Sequence, residues 1–445
     1  MKKREDSVTS VNSNEVLQIG LSIPDSLSFR RALEGLIGFL GEAVRYRGKS
    51  YRFNVRGIKR KPYSLLSHQS CPDVILNRHV NRDPHMLAQM LMCENQSHLT
   101  SSPESFGTMD SCSATGILAP LGLFRFAGTW ALPRPADPPG MNPSFSGRDM
   151  IYSDPGYYDI TVIGQELHYP VYLFPHDGKE MVPVARADDY YQLLEAYEEF
   201  SDRPVILQEG VICSEYIRSF CVGPQTLAVH YDPSARFFHE RYLRNGADEA
   251  VTFGFIPEQA DRISRRLALI SAAFFGCDHN SADLILSPDG QLTAVDPLSC
   301  DPDVSLMHLH FHFPWMVKAL TRWLVFVAAT GYRREISPSM LRRKMIDGAM
   351  KLKAAGSDSE EIGQHLENLA MESFGVKAFN DFWNESLPEF DVLAYQYFAS
   401  ENYQEIMAEA VYGYFKIPHE RPEMMAHYEG IHDFWLHCER ERLGL

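Results

Sequence analysis

The segment ADLILSPDGQLTAVDPLS, residues 282–299, constrains the fold more than any other stretch of the chain. Two short apolar runs flank SPDG, a strong turn signal, and so predict a tight β-hairpin. In a tight hairpin of this length Asp283 lies opposite Ala294. Asp296 is two residues further along on the same face, so the two carboxylates are predicted to form a diagonal pair roughly 7–8 Å apart at the backbone.

An acidic pair of this kind has two interpretations. It can hold a divalent cation between its oxygens, and Mg²⁺ prefers a few carboxylates together with phosphate oxygens and water. Alternatively, both aspartates are strand-end residues that are capped by nearby N–H groups or face solvent. Hairpin geometry alone leaves both interpretations open.

Length and charge limit the partners. The 445 residues exceed what one hydrophobic core usually supports, so two or three domains are expected. A net charge of −16 repels phosphate backbones and anionic lipid, so neither nucleic acid nor a membrane is an expected partner. The longest apolar run, 323–331, is too short to span a bilayer. Eight cysteines without C-x-x-C spacing or a secretory signal predict reduced thiols in a cytoplasmic protein.

Periodicity predicts four regions and an α+β fold class. The polar start, 1–15, reads as a disordered tail. Residues 16–100 predict an N-terminal α/β unit with a helix between strands, and 101–312 predict an α+β domain of two lobes with an antiparallel sheet. The pattern is helical over 313–445.

Four segments in order carry a resemblance to a known family. They are SPESFGTMDSCSATGILAPLGLFRFAGTWALP (102–133), YPVYLFPHDG (169–178), VILQEGV (205–211) and the hairpin itself. Over about 72–304 this order resembles the ATP-grasp superfamily, particularly the carboxylate–amine ligases that include glutathione synthetase-like and ribosomal-protein-modifying glutamate ligases. The resemblance implies an ATP-grasp fold with an N-terminal pre-grasp domain and a helical C-terminal extension, with ATP and Mg²⁺ as cofactors.

The resemblance also implies roles for individual residues. The metal ligands would be Asp283, Asp296 and Ser299, where Ser299 replaces a usual asparagine and Asp301 or Asp303 can compensate. Arg218 would meet phosphate or acyl-phosphate oxygens, for which its bidentate fork is suited. Arg241 and Arg244 are looser candidates. The residues implied to bind the nucleotide are the adenine hinge, a ribose partner and a loop over the phosphates: Gln208, Glu209, Gly210, Val211, Glu215, Gly178 and Lys179.

Two departures keep a second function open. Phe174 and Ser111 or Cys112 occupy positions where the family usually has phosphate-binding lysines, although Lys179 or His176 can substitute. The first function is an ATP-dependent ligase that joins a small-molecule or peptide carboxylate to an amine. The second is a catalytically weakened ATP-grasp protein that serves as a nucleotide-binding or regulatory scaffold. The helical C-terminal region offers a surface for a homodimer in either case.

The motif MHLHFHF, 307–313, places three histidines at alternate positions. On a strand they would form a one-sided imidazole row able to bind Zn²⁺ or Cu²⁺, whereas a helix would scatter them. Packing or polar-surface histidines are the default prediction.

Overall fold

The computed structural model describes 14–23, 27–41, 43–59, 62, 70–78, 84–101, 103, 111–132, 160–175, 185–199, 204–243 and 256–445. The predicted tail 1–15 lies outside these residues except for its last two, which begin the first strand.

The N-terminal unit is a mainly parallel sheet with the strand order β2-β3-β1-β4-β5, in which only β2 is antiparallel to its neighbour. Helix α1 packs on it because the apolar side chains of Phe29, Leu33 and Leu36 recur at helical spacing and are buried. The elements are β1 (Asn14–Ser22), α1 (Leu27–Leu40), β2 (Arg45–Tyr46), β3 (Lys49–Gly57), β4 (Val74–Asn77), α2 (Pro84–Cys93) and β5 (His98–Leu99).

A four-stranded antiparallel sheet with the order β7-β10-β8-β9 forms a small lobe. Its core is made by alternate residues of two central strands, Leu173 and Leu207 among them, packed on Leu193 of a covering helix. The elements are β7 (Thr129–Leu132), α4 (Ile160–Leu167), β8 (Val171–Pro175), β9 (Ala185–Ala187), α5 (Tyr190–Glu199) and β10 (Val205–Glu209).

The third sheet has the order β12-β11-β13-β14-β6 and contains the predicted hairpin as β13 and β14. Helix α6 covers one face of it and ends at Gly276, whose φ of 76° is the left-handed conformation that favours glycine. The elements are α3 (Ser111–Leu118), β6 (Arg125–Phe126), β11 (Glu215–Val222), β12 (Gln225–His230), α6 (Glu258–Phe275), β13 (His279–Leu286) and β14 (Leu292–Ser299).

The rest of the chain is helical, as predicted. Helix α8 is mainly apolar and largely buried, because it packs against α1 and β1 on one side and later helices on the other. The helices are α7 (Leu306–Leu309), α8 (Phe313–Thr330), α9 (Pro338–Ala354), α10 (Ser359–Ser373), α11 (Val376–Ser386), α12 (Phe390–Phe398), α13 (Glu401–Tyr414) and α14 (Arg421–Leu443).

These elements confirm the α+β class and the helical C-terminal region. One apolar core joins the N-terminal sheet, the third sheet and the helices, while the small lobe has a core of its own. The division at 16–100, 101–312 and 313–445 stays a prediction. Among the described helices none is both long and apolar enough to cross a membrane.

One expectation about the cysteines is wrong. Cys71 and Cys93 form a disulfide, with their Cα atoms 5.6 Å apart, so not all eight cysteines are reduced thiols. The pairing joins the segment before β4 to the end of α2, two segments whose proximity depends on how the helix packs on the sheet. Cys277 and Cys300 are also close, with Sγ atoms 3.2 Å apart, but they form no disulfide.

Candidate functional site

A cavity of about 410 Å³ lies between the small lobe and the third sheet. Strands β8 and β10 supply one wall, and β11, β13 and β14 with the end of β12 supply the other. Its size suits a ligand rather than a few waters. The predicted site residues that line it are Gln208, Glu209, Val211, Glu215 and Asp296.

The predicted hinge ties the two sheets together. The buried side chain of Gln208 donates from Nε2 to Thr129 Oγ1 at 3.1 Å and to the Val295 carbonyl at 3.0 Å. Gly210 donates its N–H to the Pro170 carbonyl at 2.7 Å, and a Cβ at Gly210 would lie 2.6 Å from that oxygen. Only glycine permits this close approach, so the backbone of the hinge is held in place.

Tyrosines and one carboxylate–imidazole pair make the facing wall. Glu215 Oε1 lies 2.8 Å from His230 Nδ1. The rings of Tyr216 and Tyr231 pack together at a centroid distance of 5.6 Å. Burial, and then the charge of Asp283, raises the pKa of Tyr216 well above its usual range. The Tyr216 hydroxyl therefore stays a hydrogen-bond donor.

The acidic pair lies on one face, but its register differs from the prediction. Asp283 is directly opposite Asp296, and Ala294 pairs with Leu284 instead. The pairing shifts on both sides of Asp283, so β14 contains two extra residues. On one side Val295 forms a bulge between Ala294 and Asp296, and on the other Pro297 and Leu298 span the single residue Ala282. The bulge brings the two aspartates closer than the diagonal placement expected from a regular hairpin.

Asp283 is held by a neighbouring arginine. Arg218 lies opposite Asp283 on β11 and donates from Nε to Oδ1 at 2.8 Å and from Nη2 to Oδ2 at 2.7 Å. Tyr216 Oη donates to the same Oδ2 at 3.1 Å. Arg218 and Asp283 are only 4% and 3% exposed. This fork-to-fork pair is the strong form of an ion pair, and it neutralises Asp283 within the protein.

Asp296 lines the cavity, unlike Asp283. It is 4% exposed, and its Oδ1 accepts the Leu298 N–H at 3.3 Å. Within the described part of the chain, no cluster of three or more histidine, cysteine or carboxylate side chains could hold a metal ion.

The donors present nevertheless suit a hard cation. Two carboxylates face each other across adjacent strands, and Ser299 follows on the same strand as Asp296. A cation, the Arg218 guanidinium, already rests against Asp283, so this face accommodates positive charge. Asp283, Asp296 and Ser299 are therefore the residues that would hold Mg²⁺, provided that Arg218 leaves Asp283.

Neither aspartate predicted to compensate for Ser299 is placed to do so. Asp301 Oδ1 accepts from Arg78 Nε and Nη2 at 2.9 and 2.6 Å. Asp303 accepts from the Ser305 N–H at 2.8 Å and lies 2.6 Å from His308 Nδ1. Both carboxylates therefore hold in place the chain segment that follows the hairpin.

The residues that depart from the family pattern, and the further candidates for phosphate binding, lie in different parts of the fold. The Phe174 side chain lines the cavity, so an apolar ring stands where the family usually has a cation. Cys112 lies on α3, which packs against β14. Arg241 stacks over Phe238 at 4.2 Å and donates to Tyr231 Oη at 3.1 Å. The predicted loop residues Gly178 and Lys179, with His176 and Arg244, lie outside the described residues.

Sequence reasoning missed several residues of the cavity wall. They include Tyr172, Tyr216, His230, Tyr231 and Asp232. Alternation places Tyr172 and Phe174 on one face of β8, which was a usable signal. Tyr231 and Asp232 follow a strand end, and only the return of the chain toward Arg241 brings them to the cavity.

The three histidines of MHLHFHF do not form a row. They lie on α7 and the short helical turn that follows, not on a strand. His308 pairs with Asp303, while His310 bonds the His239 carbonyl and stacks on Tyr428 at 4.7 Å. His312 is buried. The default prediction of packing histidines is the one the structure favours.

Comparisons with known proteins give likenesses of low identity. No family model and no curated protein matches the chain. Among solved structures, macrocyclase MdnC from Microcystis aeruginosa MRC, bound with precursor peptide MdnA, is 12% identical with a TM-score of 0.45, over 70% of this chain and 99% of that one.

Two further solved structures are similar. A RiPP-associated ATP-grasp ligase from Chryseobacterium gregarium, in complex with ADP and a leader and core peptide, is 10% identical with a TM-score of 0.44, over 73% of this chain and 99% of that one. VanG D-Ala:D-Ser ligase from Enterococcus faecalis is 12% identical with a TM-score of 0.44, over 69% and 95%. ATP-grasp ligases are thus among the structures that this chain is similar to.

Proposed function

We propose that the protein is an ATP-dependent ligase that joins a carboxylate to an amine or a related nucleophile through an acyl phosphate. The observation that best supports this proposal is one cavity lined both by the hinge residues Gln208, Glu209 and Val211 and by Asp296. It brings a backbone edge suited to a flat base and an acidic face suited to a metal–phosphate group to one site.

The cavity offers a partner to each part of an adenine nucleotide. The base would lie against the hinge backbone, between Phe174 of one sheet and the apolar floor that Val211 and Ile285 form. The ribose hydroxyls would bond Glu215, a carboxylate that is already oriented by His230. The phosphates would then point toward Asp296, with Arg218 beyond it.

The reaction would have two steps. The substrate carboxylate attacks the γ-phosphorus of ATP, which forms the acyl phosphate and releases ADP. The amine then attacks the acyl carbon, and inorganic phosphate leaves while the amine loses its proton. Arg218 would stabilise the oxyanion of the tetrahedral intermediate. When bound, Mg²⁺ would supply charge neutralisation on the transferring phosphoryl group.

The nature of the partners is part of the proposal. The carboxylate and the amine would be small molecules or peptides, and the protein would act in the cytoplasm. A homodimer through the helical C-terminal region remains a prediction.

A second candidate is a catalytically weakened nucleotide-binding scaffold. Phe174 favours it, because an aromatic ring in the cavity cannot donate to a phosphate. The engagement of both Asp283 oxygens by Arg218 also favours it, since a metal at Asp283 would have to compete with the guanidinium.

Calorimetry with ATP and Mg²⁺ separates the two candidates. The wild-type protein is compared with Asp296→Asn and with Asp289→Asn, a matched control in the exposed turn of the same hairpin. Asp296→Asn should weaken binding about tenfold or more, the loss of one charge-assisted contact, and Asp289→Asn should not. ADP release in the presence of amino acids or peptides supports the ligase. Binding without turnover supports the scaffold, and absence of ATP and ADP binding at millimolar concentrations contradicts both.

A further inference from the structure

The pair formed by Arg218 and Asp283 restricts access to the acidic face. We infer that Arg218 and a divalent cation compete for Asp283, so that a metal binds well only when a nucleotide phosphate draws Arg218 away. This inference rests on the proposed nucleotide site and adds that metal binding there depends on the nucleotide.

The contacts of Asp283 show why a metal and Arg218 compete for it. Its Oδ2 accepts two bonds, from Arg218 Nη2 and from Tyr216 Oη, and its Oδ1 accepts from Arg218 Nε. A Mg²⁺ ligand must offer a lone pair at about 2.1 Å. A metal at either oxygen would also lie within a few ångströms of the guanidinium, and the repulsion between them is screened little in a site this buried.

The Arg218 guanidinium also contacts groups other than Asp283. Its guanidinium lies over the ring of Tyr231 at 3.6 Å, and Nη1 is 3.4 Å from Tyr242 Oη. Tyr231 lines the cavity, whereas Arg218 does not. A guanidinium that leaves Asp283 can therefore remain stacked on Tyr231 while it turns toward the cavity.

The consequence is positive coupling between metal and nucleotide. Without nucleotide, releasing Asp283 would leave a buried guanidinium without an anion, which is unfavourable. A phosphate in the cavity supplies that anion, and Asp283 then becomes available beside Asp296. By linkage, each ligand strengthens the binding of the other by the same factor.

The test measures Mn²⁺, a spectroscopic probe of the cation site, by electron paramagnetic resonance without turnover. The wild-type protein should bind Mn²⁺ alone weakly, and saturating ADP should raise the affinity at least about tenfold. Arg218→Met should bind Mn²⁺ alone at least about tenfold more tightly than wild type, because Asp283 is released. Arg262→Met on the exposed face of α6 should behave like wild type.

Two results would overturn the competition. One is equal Mn²⁺ affinity of the wild-type protein with and without ADP, a measurement that needs no variant and stands if Arg218→Met fails to fold. The other is a folded Arg218→Met protein that binds Mn²⁺ alone no better than wild type. Calorimetry of ADP with the metal chelated shows separately whether a nucleotide site exists. If ADP fails to bind under any condition, the proposed function falls along with the competition.

Discussion

Two aspartates on the same stretch of chain show how differently a buried charge can be used. Asp278, just before β13, is 1% exposed and is held by three side chains: Arg334 at 2.6 Å, Trp323 at 2.9 Å, and His98. Asp283 is almost as buried but is held by Arg218 and Tyr216, both on the adjacent strand β11. Each carboxylate is paired with an arginine, so burial and charge do not distinguish the two aspartates.

The origin of the partners does distinguish them. The residues around Asp278 come from β5, α8 and the loop before α9, so this one carboxylate joins the N-terminal sheet to the helical region. Asp283 joins only neighbouring strands, and a cavity begins at the residue opposite it. A carboxylate enclosed by distant elements stabilises the fold. One that is bordered by a cavity and held by a movable partner can exchange that partner for a ligand.

The largest expected effect is on the enclosed carboxylate. Burial raises the pKa of Asp278, but His98 and Arg334 lower it more, so it is ionised and its partners depend on it. Asp278→Ala should lower the free energy of unfolding by about 3–5 kcal/mol, the usual cost of breaking a buried pair from one side. Urea unfolding measures this loss, with Asp347→Asn on the exposed side of α9 as a control. A loss below about 1 kcal/mol would contradict the comparison.

The buried histidine His312 extends the comparison to the pH dependence of stability. Burial lowers the pKa of His312 to about 3, below the ordinary value of about 6.5. The unfolded chain therefore binds a proton first, and stability is lost as the pH falls from about 6.5. His312→Phe should reduce the pH dependence of the free energy of unfolding by up to about 1.4 kcal/mol per pH unit below pH 6.5. Urea titrations between pH 7 and 4.5 check this, and the exposed His437→Phe should leave the slope unchanged.

Removing both partners of each pair sharpens the contrast. Asp283→Asn with Arg218→Met should cost at most about 1 kcal/mol, because the pair disappears without an orphaned charge. Asp278→Asn with Arg334→Met should cost about 2 kcal/mol more, since His98 and Trp323 still lose an anionic acceptor. The two double variants are compared by urea unfolding. Equal costs would show that Asp283 is as structural as Asp278.

The smallest expected effect concerns the turn that sets the hairpin. Gly290 has a φ of +84° and open space where a Cβ would lie, so Gly290→Ala should cost about 1 kcal/mol from backbone strain alone. Gly430→Ala, inside α14 and equally open, should instead stabilise by up to about 1 kcal/mol. Thermal unfolding distinguishes the two signs. A neutral Gly290→Ala would mean that the turn does not constrain β13 and β14.

Local chemistry accounts for what was predicted correctly. SPDG specifies a turn, and the two apolar runs on either side of it specify two strands. Helical spacing likewise identified α1 and the buried face of α6. These features depend only on residues near one another in the chain.

Other features depend on contacts between distant segments. The disulfide between Cys71 and Cys93, the return of Tyr231 to the cavity and the capture of Asp283 by Arg218 all require the sheets to assemble first. A residue's own neighbours in sequence carry no information about such partners. The roles of Asp283 and Asp278 were therefore indistinguishable before the fold was known.

The hairpin contains both features that depend on local sequence and features that depend on distant contacts. Sequence determined that two strands and a turn exist, because turn chemistry and strand alternation are local. The pairing next to the turn, Leu284 with Ala294, would by itself place the two aspartates on opposite faces. Only the tertiary structure decided the register. One residue that β13 leaves unpaired is Val295, and its carbonyl accepts a hydrogen bond from Gln208 on the other sheet. A bulge is stable when a distant group satisfies the backbone polar atom it displaces, and no pattern within the hairpin specifies that group.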